Sequence, residues 1–290
     1  MRTFADYNPI VVAIYFLMVA GIAMFCMNPI ILFLSLCGAL LLYFLRNGLT
    51  DSKMHLISFA LFLVLALINP LVSHNGVTVL FVMNHNPVTL EALIYGIAAA
   101  AMIVSVMYWF RIFSQIMTSD KLLYIFGACS PKLALILSMS LRYVPLLNKQ
   151  AKKVEQTQQA LGLYKEDNIV DYLKGKLRIF SVLITWALEN GIITADSMAA
   201  RGYGIGKRSR FSIFRMKMAD VTVLSFSILL FVFTLLGIRQ IEFVYYPAIK
   251  MSEMTFMGAG GCAAYGILIL LPAMIEVKEN LKWKYLKSKI

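Results

Sequence analysis

Apolar residues along this 290-residue chain gather into long runs instead of alternating with polar ones. Six runs, over about residues 10–27, 30–45, 56–72, 90–110, 221–238 and 254–275, approach the roughly 20 mostly apolar residues that a helix needs to cross a bilayer. Each is expected to be helical, because a backbone group in hydrocarbon has no water to bond and a helix satisfies its own. Asn28-Pro29 separates the first two runs and predicts a tight reversal. Thr89 is placed to cap the fourth, with Glu91 at the positive end of its dipole. Between the third and fourth, residues 73–87 put β-branched and aromatic residues between Asn-Gly and Asn-Pro breakers. That pattern predicts a short strand-like excursion, either a strand pair or a cap on the bundle.

The pattern changes in residues 111–220. Residues 122–136 are apolar but broken at Ser130-Pro131. Residues 141–163 then place Leu147, Ala151, Val154 and Leu161 on one helical face, with polar residues opposite. Residues 173–200 carry a second oily face that includes Val182, Trp186, Ile193 and Met198. Two long amphipathic helices are therefore expected, and their apolar faces need partners in each other, in the bundle or in another protein. The predicted plan is an all-α integral membrane protein of about six transmembrane helices: four spans in 1–110, an amphipathic helical region in 111–220, two spans in 221–275 and a basic tail in 276–290.

Composition agrees with a bilayer. The chain is 60% hydrophobic and only 14% charged, with a mean hydropathy of +0.76, whereas a soluble domain has about a quarter of its residues charged. The net charge of +12 would suggest nucleic acid in a soluble protein. Here it sorts by topology instead, and no nucleic-acid partner is expected. With six spans, Arg239 and Lys250 are the only Lys or Arg residues on one side of the membrane, and the rest fall on the other. By the positive-inside rule the basic side is the cytoplasm, with both termini there. Asp6 interrupts the basic start of the chain and more membrane sequence follows, so the first run reads as a retained span. Cys26, Cys37, Cys129 and Cys262 stand singly without ligand spacing and read as small filler.

Candidate chemistry is sparse. No GxxxxGK[ST] or HExxH occurs, and His55, His74 and His85 are scattered. The alternating glycines Gly202, Gly204 and Gly206 follow a helix instead of opening one, so they read as a loop. No cofactor is expected. Asp167 and Asp171 form a lone DxxxD, which leaves open a polytopic prenyltransferase-like enzyme, although the second acidic cluster needed to hold a diphosphate is missing. The span interiors lack Asp, Glu, Lys and Arg, which counts against a stand-alone secondary carrier driven by an ion. A membrane protein that draws its energy from elsewhere fits better.

Arg201 closes the second amphipathic run between Ala200 and Gly202. Basic residue and glycine together make an ordinary helix stop. The same guanidinium could fork onto a partner's carboxylate or carbonyls, with small neighbours allowing close approach. Both roles can hold at once. Lys207, Arg208 and Arg210 follow and suit anionic headgroups, as does the tail from Lys278 to Lys289 with Trp283 and Tyr285.

The run TADSMAARGYG, with WALEN just before it and SLRYVP earlier, resembles the transmembrane T component of energy-coupling factor transporters, a group that includes the cobalt-importer permease component. The resemblance covers nearly the whole chain. It implies a non-catalytic subunit of a bacterial or archaeal cell membrane. Such a subunit joins two cytoplasmic ABC-type ATPases to a small membrane S component that captures a vitamin or metal ion. It further implies two coupling helices that each end near an Ala-Arg-Gly-like triplet and dock on the ATPases. The second triplet maps onto Ala200, Arg201 and Gly202. The first falls at Ala160, Leu161 and Gly162, where leucine replaces the arginine, so the two contacts are expected to be unequal or Leu161 to be core of the helix pair.

Overall fold

In a computed structural model, which describes residues 3–48, 52–73, 75–83, 86–162, 169–206, 214–241, 243–251 and 255–287, two Asn-Pro-Ile tripeptides open the first two helices in the same way. Asn8 accepts from the Ile10 N–H at 3.0 Å and starts α1 (Pro9–Phe25). Asn28 accepts from the Ile30 N–H at 3.0 Å and starts α2 (Pro29–Asn47). Proline suits the first helical position, having no N–H to leave unpaired. α3 (Ser52–Val72) leads to an antiparallel hairpin of β1 (Val79–Met83) and β2 (Asn86–Thr89), so the excursion is a strand pair. Thr89 caps α4 (Leu90–Ile116), accepting from the Ala92 N–H at 3.3 Å and donating to the Asn75 carbonyl at 2.7 Å. Both carboxylate oxygens of buried Glu91 accept from the Thr78 N–H, at 3.2 and 3.3 Å, which ties the hairpin to the helix start.

The chain divides into two compact units, one of Met1–Leu122 with Phe214–Ile290 and one of Leu123–Ile213. Besides α1–α4, the first holds α8 (Met218–Ile238), the two-residue strands β3 (Phe243–Val244) and β4 (Lys250–Met251), and α9 (Phe256–Lys287). α5 (Ser119–Cys129) begins in the first unit and ends in the second, which holds α6 (Pro131–Ala160) and α7 (Ile169–Ala200). α9 runs through the basic stretch to Lys287, so most of the predicted tail is helix.

Among the described residues, six helices, α2, α3, α4, α7, α8 and α9, are long and apolar enough to cross a membrane. α1, with 17 residues, is about 25 Å long, close to the lower limit for a span. α7 qualifies by length and composition although Asp171, Lys174, Lys176, Arg178, Glu189 and Asp196 interrupt it.

In the first unit α4 lies against α1, α2 and α3, while α9 lies against α2 and α8. Trp109, Tyr15, Tyr43, Tyr108 and Tyr265 fill its interior. Trp109 Nε1 donates to Ser35 Oγ at 3.1 Å and the Tyr15 hydroxyl to the Leu268 carbonyl at 2.9 Å, so these large rings bring their polar atoms to partners.

The two ends of this unit differ in charge. At one end the Tyr245 hydroxyl donates to the Met27 carbonyl at 2.6 Å, and the Tyr95 and Tyr245 rings meet edge to face at 5.3 Å. The α1–α2 turn and the α8–α9 connection, with Arg239 and Lys250, therefore share that end. At the other, Arg46 pairs with Glu276 at 3.2 Å. There Lys121 donates to the Ala5 carbonyl at 2.6 Å and to the Ile116 carbonyl at 2.9 Å, joining the N-terminal turn to the end of α4. Burial pushes the Tyr245 phenol up to about 12, helped by the neighbouring Tyr95, so it remains a donor. Tyr245→Phe is expected to lower stability by about 1–3 kcal/mol, because the Met27 carbonyl loses its partner. A melting temperature unchanged from the parent in detergent would show that this bond does not hold the end together.

Candidate functional site

α5 ends at Cys129 and α6 begins with Pro131 at its first position, the break that Ser130-Pro131 predicts. The helix then runs without interruption through Pro145 to Ala160, ten residues longer at its start than the amphipathic pattern alone indicates. Its more buried face carries Tyr143, Leu147, Ala151, Val154 and Gln158, at spacings of three and four. Three of the four predicted face positions are therefore right. The fourth is not: Leu161 is 67% exposed and buried Gln158 takes the place in the pair.

α7 turns Gly175, Ile179, Leu183, Trp186, Asn190, Thr194 and Met198 to its more buried side. Val182 and Ile193, expected inward, are 42% and 59% exposed. The apolar pattern misled at these positions because polar side chains hold the seam. The Tyr143 hydroxyl shares a hydrogen bond with Thr194 Oγ1 at 2.8 Å and donates to the Asn190 carbonyl at 3.5 Å, and Asn190 Nδ2 donates to the Trp186 carbonyl at 2.8 Å. Thus the three stretches SLRYVP, WALEN and TADSMAARGYG, far apart in part along the chain, meet at one place. Further along, Lys176 pairs with Glu155 at 2.6 Å.

These contacts fix the pair as antiparallel, since residue 143 meets 194 while 155 meets 176. The C-terminal tips of α6 and α7 therefore lie at opposite ends of the second unit. At 1.5 Å per residue they are about 40 Å apart.

Each tip is closed by glycine in the left-handed region. On α7 the Tyr203 N–H donates to the Met198 carbonyl at 3.0 Å and the Gly202 N–H to the Ala199 carbonyl at 2.9 Å, with Gly202 at φ 81°. This pair of hydrogen bonds is a Schellman turn, and it makes Arg201 the C-cap, directly after the last helical residue Ala200. The Arg201 N–H donates to the Ser197 carbonyl at 3.2 Å. Ala200, Arg201 and Ile205 are exposed, Ile205 at 87%. On α6 the Leu161 N–H donates to the Thr157 carbonyl at 3.1 Å and the Gly162 N–H to the Gln159 carbonyl at 3.0 Å, with Gly162 at φ 66°. Ala160 and Gly162 are exposed beside Leu161. Both predicted triplets are thus exposed helix ends of similar form, one carrying a guanidinium and one an isobutyl group.

A second apolar face of α7 is not among those the sequence pattern singles out. Leu173, Leu177, Phe180, Ile184 and Leu188 recur at spacings of four and three, and all are exposed. That period is present in the sequence, on the side of the helix nearly opposite Val182, Trp186 and Ile193. Asp171 lies exposed in the first turn of α7. Asp167, Lys207, Arg208 and Arg210 lie outside the described residues. Among the described residues no group of three or more His, Cys, Asp or Glu could hold a metal ion.

Comparison with known proteins points the same way. The family model of CbiQ, described as cobalt transport protein, matches residues 6–213. The chain is 35% identical over 95 residues to the energy-coupling factor transporter transmembrane protein EcfT of Listeria innocua, covering 32% of this chain and 36% of that protein. It is 33% identical over 100 residues to EcfT 1 of Listeria monocytogenes, covering 34% and 38%. It is 29% identical over 112 residues to EcfT of Lactobacillus helveticus, covering 38% and 40%. The matched stretches thus span well under half the length of these curated relatives.

Proposed function

The chain belongs to the CbiQ family of cobalt transport proteins and is an EcfT-like T component, and on that premise we propose that it couples two cytoplasmic ABC-type ATPases to a small substrate-binding membrane subunit. The observation that best supports this reading is the antiparallel α6–α7 pair with an exposed, glycine-closed tip at each end. Two tips about 40 Å apart on one pair can be gripped by two separate subunits. Arg201 anchors one ATPase through forked hydrogen bonds, with Ala200 and Gly202 allowing close approach. Ala160, Leu161 and Gly162 engage the other mainly by apolar burial.

ATP binding and hydrolysis in those partners would draw the tips together and let them part. The displacement passes along the pair to the outward face of α7, where Leu177, Phe180 and Ile184 meet an apolar partner. Selectivity for a vitamin or metal ion resides in the substrate-binding subunit, which must differ in affinity between the two states for the cycle to transport anything. Both termini and the basic end of the first unit face the cytoplasm.

The direct test is gentle-detergent purification of the tagged chain from its native membrane. Two ABC-type ATPases and one small hydrophobic protein are expected to co-purify. Recovery of the chain alone, with turnover of prenyl diphosphate or uptake in liposomes without ATPases, would overturn the reading. Leu161→Arg tests the weaker tip. Because Leu161 is exposed, the added charge needs no burial in the chain itself, so the fold is expected to stay intact while ATPase association weakens. Unchanged or stronger association would show that this contact does not rest on apolar burial.

A further inference from the structure

A groove of about 820 Å³ runs between α8 and α9, walled by Phe226, Leu229, Ile267, Leu271 and Met274. All of its lining belongs to the first unit, and all but Tyr7 to bilayer-spanning helices. Two hydroxyls on its α8 wall, Thr222 and Ser225, are turned back onto their own helix, donating to the Ala219 carbonyl at 2.9 Å and the Val221 carbonyl at 2.6 Å. The wall therefore offers hydrocarbon surface and fits an alkyl chain better than a polar ligand.

One end of this groove is cationic. The two helices are antiparallel, with Ile241, just past the end of α8, beside Gly258 and Gly237 beside Gly261. Counting back equally along both brings exposed Lys217, at the start of α8, level with residues 281–282 of α9, so Lys278 and Lys282 both lie within about a turn of it. Lys278 is one turn beyond Met274, on the face that lines the groove, and Lys282 follows one turn later. Of the neighbouring acids, Glu276 pairs with Arg46, Asp220 accepts from the Lys217 N–H at 2.8 Å, and Glu279 keeps one carboxylate oxygen buried. Exposed Trp283 and Tyr285 mark the same level as a membrane–water boundary.

We propose that this groove binds an anionic glycerophospholipid of the leaflet at the basic end, with an acyl chain between α8 and α9 and the phosphate at Lys217 and Lys278. An apolar trough closed by two cations complements an anionic amphiphile. A zwitterionic lipid fills the same trough but brings its own cation to the lysines.

The test uses the full chain in phosphatidylcholine nanodiscs that carry rising fractions of phosphatidylglycerol brominated on its acyl chains. Phe226→Trp, and separately Leu229→Trp, report contact with bromine, and the parent chain supplies the background from Trp109, Trp186 and Trp283. The added tryptophan is expected to be quenched at a mole fraction on the order of tenfold lower by brominated phosphatidylglycerol than by brominated phosphatidylcholine. Joint replacement Lys217→Gln and Lys278→Gln is expected to erase that preference and leave quenching by phosphatidylcholine unchanged. Equal quenching by both headgroups in the unreplaced chain, or a preference that survives the joint replacement, overturns the proposal. No quenching at either reporter also overturns it, since the groove is then filled by protein, either a second copy or a partner's helix.

Discussion

Replacing Arg201 by Ala is expected to abolish uptake while leaving the chain folded and in the membrane. The turn that ends α7 is made by backbone groups: Tyr203 to Met198, Gly202 to Ala199, and Gly202 itself at φ 81°. None of these bonds uses the guanidinium, and alanine is at least as good a helix former as arginine. The change in the stability of the chain should stay within about 0.5 kcal/mol, as for other exposed sites. An arginine anchoring an interface is another matter, since truncating such a residue commonly weakens association by about 2 kcal/mol or more, roughly 30-fold. Co-purification of the ATPases and uptake into cells should therefore fall together, with the membrane level of the chain unchanged. Arg201→Lys separates charge from geometry: a point charge without the planar fork should restore only part of the association. Normal uptake by Arg201→Ala would reduce Arg201 to a helix stop and remove the anchor from the proposed mechanism.

The two tips were legible in the sequence for different reasons. Arg201-Gly202 carries the composition of a helix stop, and the structure closes it with the bonds that composition implies. Gly162 reads the same way, but Leu161 was ambiguous: the spacing from Val154 put it on the buried face, and the helix ends before that face can use it. The spans were legible because a bilayer allows few alternatives to a continuous helix. α9 is longer than its apolar run, since its basic residues from Lys278 onward look like a tail and yet remain helical to Lys287. The strands β3 and β4, two residues each, leave no period to detect. The α6–α7 seam was the least legible part. It is held by Tyr143, Asn190 and Thr194, and a search for apolar periodicity passes over polar residues that find partners only across a fold.

Packing of α8 on α9 sets the second large expectation: Gly237→Leu should prevent accumulation of the folded chain. In hydrocarbon there is no water to drive two helices together, so their association rests on close contact, and small residues permit it. A Cβ added at Gly237 would stand 2.5 Å from the Gly261 Cα and 2.9 Å from the Met257 carbonyl oxygen, and one added at Gly261 would stand 2.7 Å from the Gly237 Cα. These neighbours are backbone and cannot rotate away. Even Gly237→Ala must separate the helices, and it should lower stability by about 1–3 kcal/mol, the usual effect of overpacking. At Gly266, on the same helix α9, an added Cβ would meet nothing within 4 Å, so Gly266→Ala should be neutral or gain up to about 1 kcal/mol from helix propensity. Fluorescence-detected size exclusion after heating, run on both alanine variants, makes the comparison. If Gly237→Ala melts with Gly266→Ala, the glycine contact does not pin the pair. The pinning also accounts for the groove, because α8 and α9 touch backbone to backbone at Gly237 and Gly261 and leave room for a ligand toward Phe226 and Met274.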